Sequence, residues 1–148
     1  MCRSASQLPP SMKLKAPCAQ CPFRKDQDFL STGRKLQLVY ETAHLGLSFS
    51  CHKTLDYQRG EGELIAEVSQ HCAGSLHFLH QIDRPNQVMQ IGGRLGVWSI
   101  GDLQGGESIH DSIESFVGMG IGTLDAVVLH HRHVQQRRGK SRAFHALG

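Results

Sequence analysis

Apolar residues recur at helical spacing in several stretches of the chain. Between residues 32 and 45, Leu36, Tyr40 and Ala43 fall on one face with Val39 beside them, and Gly46 follows as a C-terminal stop. That pattern predicts a helix. Leu47-Ser48-Phe49-Ser50-Cys51 alternates apolar and polar and reads as a short strand. A loop rich in glycine and charge follows, over about 54–62. Val68, Cys72, Leu76 and Leu79 share a helical face, which predicts a second helix over 63–82 in one or two pieces. Gly74 weakens that helix but permits close backbone approach, and Pro85 interrupts the pattern.

Residues 86–95 predict another helix, ended near Gly93 or Gly96, and Leu95 to Ile100 reads as a short extended piece. From Glu107 to Val117, Ile109, Ile113, Phe116 and Val117 define one apolar face. Gly118, Gly120 and Gly122 break that helix, and Leu124 to Val134 is the last candidate. Residues 1–16 hold serines and prolines without periodicity, as disordered segments do.

The elements describe a small α+β protein, mainly helical, in one domain. The expected boundaries are a basic N-terminal tail over 1–15, a globular domain over 16–134 and a basic C-terminal tail over 135–148. Hydrophobic residues make up 39% of the chain and aromatics 6%, so the core is modest and gains from a staple such as a metal site. No apolar run is long enough for a transmembrane helix. The start, Met1-Cys2-Arg3-Ser4, has no apolar core of a secretory signal, so the expectation is a cytoplasmic protein.

Charge is unevenly distributed. Residues 1–25 carry Arg3, Lys13, Lys15, Arg24 and Lys25 and no acid, and residues 132–148 carry Arg132, Arg137, Arg138, Lys140 and Arg142 and no acid. Between them, six basic residues face thirteen acidic ones. Basic ends on an acidic body suit contact with a polyanion such as nucleic acid, and equally suit a solvated tail.

The cysteines carry the clearest chemistry. Cys18-Ala19-Gln20-Cys21 is a C-x2-C pair between Pro17 and Pro22; Cys51 follows after 29 residues and Cys72 after 20 more. In a reducing compartment such clusters hold metal more often than they form disulfides. Cys2, in the polar tail, is the spare. The spacing differs from the paired motifs of a zinc ribbon, yet it supplies four thiolates, which would lock knuckle, strand and helix together. His52 beside Cys51 is the substitute ligand, and His71 stands beside Cys72 in the same way. Zinc is the favoured ion; an iron–sulfur cluster uses the same ligands and is the alternative. Arg24, Lys25 and Lys53 lie close to the cysteines in sequence, either to offset thiolate charge or to form a phosphate-facing edge with the Arg137, Arg138, Lys140 and Arg142 tail.

The blocks Pro17-Cys18-Ala19-Gln20-Cys21-Pro22-Phe23-Arg24, Phe49-Ser50-Cys51-His52-Lys53-Thr54 and Cys72-Ala73-Gly74 resemble a family of small four-cysteine proteins of unknown function from bacteriophages and from bacteria such as actinobacteria. The resemblance covers residues 16–80 and implies a metal or cluster site at the four cysteines. It implies no particular reaction.

Other chemistries fit less well. A zinc deaminase needs a His-x-Glu motif, which this chain lacks. A redox C-x2-C pair would follow a strand and open a helix, whereas this one follows a polar tail. His130, His131 and His133, near the end, are a further metal-binding candidate, and the glycine pairs match no phosphate-loop pattern. The leading expectation is a non-enzymatic, metal-binding accessory protein, phage-encoded in the family's manner, that contacts nucleic acid or a nucleoprotein. An iron–sulfur or zinc enzyme and a protein-binding inhibitor of a host enzyme are the alternatives.

Overall fold

A computed structural model describes residues 15–51 and 71–146, with side chains through residue 140. The described chain is mainly helical. Its helices are α1 (Thr32–Val39), α2 (Ala73–Gln81), α3 (Gln87–Arg94), α4 (Ile113–Val117) and α5 (Leu124–Ala146). A π-helical turn over Tyr40–His44 continues α1, and 3-10 turns cover Ile100–Asp102 and Gly106–Ser108.

Local chemistry accounts for the helix starts. The Ser31 hydroxyl accepts from the Arg34 amide at the start of α1, and the Asn86 side chain accepts from Met89 N at the start of α3. Ser112 plays the same part for α4. Each satisfies an amide that the first helical turn leaves without a partner. Past Val39 the helix widens. Thr42 Oγ1 donates to the Leu38 carbonyl at 2.7 Å, and Leu45 N reaches back to Tyr40 O at 3.0 Å. Side-chain insertion of this kind loosens a helix. Gly46, at φ +69°, then ends it.

The β component is far smaller than the alternating segment at 47–51 suggests. Among the described residues, β pairing is limited to two isolated antiparallel bridges, Ser50 with His71 and Arg24 with Ile109. A two-faced strand needs a neighbour along its length; here, among the described residues, Phe49 O receives the Cys72 amide, at 2.9 Å. The expected helix over Glu107–Val117 is also shortened. Ile109 sits in a bridge to the cysteine loop, and only Ile113–Val117 is helical. Leu95 to Ile100 is not an extended piece either: α3 closes at Leu95, and Ser99 caps the 3-10 turn that begins at Ile100. By contrast α5 runs well past Val134, so residues 135–146, expected as a tail, continue the helix. The predicted helix over 63–82 is described only from its second piece, α2; residues 52–70 lie outside the described set, as do residues 1–14.

One core centres on Phe23, the residue two places after Cys21. Its ring lies 5.5 Å from Phe49, 5.2 Å from Phe78 and 5.2 Å from Phe116, centroid to centroid. Leu38, Val39, Ile109, Ile113 and Val127 close around this cluster, together with Cys21, Cys51 and Cys72. A second, smaller core joins Leu76 and Leu79 of α2 to Met89, Trp98 and Leu103. The helix α2 therefore has apolar cover on both sides, and every residue from Ala73 to Leu79 is buried. Among the described residues no helix is long and apolar enough to cross a membrane.

Candidate metal centre

The four cysteines of the C-x2-C-x29-C-x20-C pattern come from three separate places in the chain and meet beside the phenylalanine cluster. Cys18 and Cys21 bracket a tight turn in which Cys21 N donates to Cys18 O at 3.1 Å, and Arg24 N then donates to Cys21 O at 3.1 Å. The loop is held in place from the far side. Lys25 N donates to Ser108 O, and His110 N to Phe23 O. The Ser50–His71 bridge brings Cys51 alongside Cys72. Cys72 is the N-cap of α2, one residue before the helix, rather than a member of its apolar face. The helical spacing to Leu76 is real, but the chain enters α2 through Cys72, so its sulfur serves the loop side.

The sulfurs meet in two pairs. Cys21 Sγ lies 3.5 Å from Cys72 Sγ, and the Cys18 and Cys51 thiols are in hydrogen-bond contact. All four cysteines are free thiols. A disulfide would need sulfurs at about 2.05 Å. Four thiolates at about 2.3 Å from one zinc ion stand about 3.8 Å apart, so the 3.5 Å pair is close to a coordination edge and far from a covalent bond. The pairs also feel each other electrostatically, Cys18 through Cys21 and Cys72 through Cys51. Among the described residues, however, no three Cys, His, Asp or Glu side chains close on a common point as a ready ion-holding group.

Backbone amides are aimed at these sulfurs. Gln20 N–H faces Cys18, Phe23 and Arg24 N–H face Cys21, and Ser75 N–H faces Cys72. Amides in that position stabilise a thiolate over a thiol. The thiols respond unequally. The hydrogen bond from Cys72 holds Cys21 below its ordinary range, with its amides and the Arg24 charge assisting against burial. The same bond, then burial, pushes Cys72 well above that range. Burial raises Cys18, and the Gln20 amide opposes the rise. In this pair the Cys21 sulfur accepts while Cys72 keeps its proton, and any metal held here would need both thiols deprotonated.

Gly74 completes the site. A Cβ at this position would collide with Cys21 Sγ and would stand 3.3 Å from Ile109 Cδ1 and 3.6 Å from Cys72 Sγ. The first turn of α2 thus presses bare backbone against the sulfurs, the close approach that a glycine at this position permits. The donor set, its amides and this cradle fit a closed thiolate metal site.

The other candidate residues are placed as follows. Arg24 forms a two-point ion pair with Asp26, at 2.6 and 2.8 Å, so its guanidinium is engaged by a carboxylate while remaining near Cys21. Lys25 Nζ donates to Glu107 O at 3.3 Å. His52 and Lys53 lie outside the described residues. His71 is buried at 1% exposure, and neither of its ring nitrogens has a hydrogen-bond partner. Burial lowers its pKa. Arg137, Arg138 and Lys140 are exposed on α5, and Arg142 belongs to the same helix. His130, His131 and His133 do not gather as a metal group; His131 stacks on Tyr40 at 3.8 Å with 9° between the rings.

Nothing in the sequence reading marked Phe23 as the hub of the core or placed Arg34 at a cleft shared with α5. The run Cys-Pro-Phe-Arg contained the first signal, since a large aromatic held two residues after a cysteine knuckle has little choice but to pack beneath it. Arg34 gave none, because the α5 residues that share its cleft lie more than ninety positions away. No family model, curated protein or solved structure matches this chain.

Proposed function

We propose that this chain is a metal-binding protein in which Cys18, Cys21, Cys51 and Cys72 hold one ion, zinc in the first instance, and that its basic helix α5 meets nucleic acid or a nucleoprotein. The observation that carries the reading is the convergence of two sulfur pairs from three distant segments, one at 3.5 Å, on a backbone that aims amides at them. Buried free cysteines packed only as small apolar groups have no need of those amides. Ion binding would draw the two pairs onto one centre and supply folding free energy to a protein with a modest core.

The site has the features of a structural centre. Three of the four sulfurs are buried and the fourth is half-buried, which leaves little room for the open coordination position that catalysis at zinc requires. For α5, support comes from its composition. Arg132, Arg137, Arg138, Lys140 and Arg142 follow one another without an acidic residue. Over 23 residues the helix is about 34 Å long, enough to follow a nucleic-acid backbone for several phosphates.

Elemental analysis with a visible spectrum, on protein purified without oxygen, tests the metal half. One zinc per chain and no colour supports the proposal. Iron with acid-labile sulfide and broad visible absorption replaces zinc with a cluster at the same cysteines. Protein free of any metal, and unable to take up zinc when reduced, overturns it.

A further inference from the structure

Between the start of α1 and the middle of α5 lies a cleft of about 370 Å³, lined by Ser31, Gly33, Arg34, Gln37, His130, His131, Gln135 and Arg138 among others. We propose that this cleft is a phosphate-binding site, and that Arg34 and Arg138 grip the phosphate from its two sides. The proposal rests on the reading above that the chain meets a polyanion, and names where on the surface it does so.

Two arginines face one cleft from different helices, although the acidic residues of this chain outnumber the basic ones between its two ends. Neither is paired: the ion pairs among the described residues are Arg24 with Asp26 and Lys35 with Asp28. Among the described residues no carboxylate lines the cleft. Glu41, which accepts from the cleft residue Gln37 at 2.8 Å, is engaged by that amide. Like charges turned toward a shared space without a counter-charge repel, and the arrangement is stabilised when an anion enters. Guanidinium forks match phosphate oxygens two at a time.

The rest of the lining suits the same ligand. Gln135, His130 and His131 bring further N–H groups, and Leu36 and Val134 add apolar lining on which an attached sugar can rest. The walls are also tied together, because His131 of α5 is stacked on Tyr40 of the turn that continues α1. A cleft of this size admits a phosphate with its attached sugar, and it is small by the standard of pockets that swallow whole ligands. The same chemistry is offered by a nucleic-acid backbone and by a free nucleotide, so the test carries both.

Full-length protein as purified is titrated against a fluorescein-labelled single-stranded oligonucleotide, a labelled duplex and ATP over a range of salt. Arg34→Gln and Arg138→Gln are compared with Arg94→Gln, which changes an exposed arginine on α3 away from the cleft. Phosphate is also added while the Arg34 Nε–H resonance is followed by NMR. The expected result is oligonucleotide binding that each cleft variant weakens by about tenfold, with the slope of log K against log salt reduced by about 1, and no change for Arg94→Gln. Both arginines are exposed, so the variants retain the wild-type fold, and circular dichroism checks that they do. If ATP binds in an Arg34-dependent way and neither oligonucleotide does, the cleft stands as a nucleotide site and the nucleic-acid reading falls. Oligonucleotide binding that survives both cleft variants but is lost in Arg137→Gln and Lys140→Gln overturns the cleft and leaves that reading intact. With no oligonucleotide or ATP bound and the Arg34 resonance unmoved by phosphate, both are overturned.

Discussion

Gly74 and Cys21 share one space: a Cβ on the glycine would fall onto the cysteine sulfur, although 53 residues separate them. Gly93, in α3, has no atom within 4 Å of the place its Cβ would take. The two glycines therefore predict opposite outcomes. Gly74→Ala must push Cys21 away from Cys72, with loss of metal content and a lower melting temperature. Gly93→Ala removes only the backbone freedom of a helical glycine and stabilises by about 0.5–1 kcal/mol. Urea unfolding and zinc analysis on the two variants, side by side, check both.

Removal of one sulfur separates a metal site from a cluster of core cysteines. Cys72→Ser keeps the size of the side chain and deletes a soft ligand. The expected result is loss of bound zinc and a drop of about 10 °C or more in Tm, roughly 3 kcal/mol or more for a chain of this size. A chelator added to wild type should reproduce the drop, and should leave the Tm of Cys72→Ser unmoved. Equal response of the two proteins to chelator would contradict ligation by Cys72.

Phe23 tests the coupling of site to core. It is fully buried and touches three other phenylalanine rings. Phe23→Ala is expected to cost about 3–5 kcal/mol, the range for a large aromatic removed from a core. Because Phe23 lies two residues from Cys21, zinc affinity should fall with it, whereas Leu103→Ala in the second core should lower stability and leave zinc affinity close to wild type. Paired denaturation and competitive zinc titration distinguish the two.

A pH effect is expected at His110. Burial holds its imidazole below the ordinary value, and the charges of Lys35 and Lys25 add to the effect, against Asp111 and Asp28. The native protein thus favours the neutral ring, while the unfolded chain takes up a proton near the ordinary value of about 6.5. The stability that the neutral ring contributes is present above that pH, and is lost as pH falls from it through the folded value. His110→Gln should flatten the stability profile below about pH 6.5 relative to wild type. Parallel slopes in the two proteins would assign the acid sensitivity to other groups.

The helix at 32–45 was legible because a regular apolar face meets a local stop at Gly46, and the one at 86–95 because Pro85 and the glycines at 93 and 96 bracket it; these signals act within a few residues. Helix starts at Ser31 and Asn86 follow from the same short-range chemistry. The segments that departed from their patterns did so where a distant partner competed. Ile109 carries the apolar period of a helix, but its backbone faces the cysteine loop through the bridge to Arg24, and the helix starts only at Ile113. Ser48 and Ser50 alternate with apolar residues as in a strand, yet a strand requires a continuous neighbour, and the pairing found there is the single bridge to His71.

For the site, the residue types and the local C-x2-C turn were already determined by the sequence, since a two-residue spacing between cysteines constrains the backbone by itself. Which of the distant cysteines pairs with which sulfur of this turn, and that Gly74 is the surface against which Cys21 rests, were decided by the tertiary structure alone. The same holds for the cleft between Arg34 and Arg138. Contacts of that kind depend on how helices dock, and docking depends on the sum of side-chain packing across the core. No spacing along the chain encodes it.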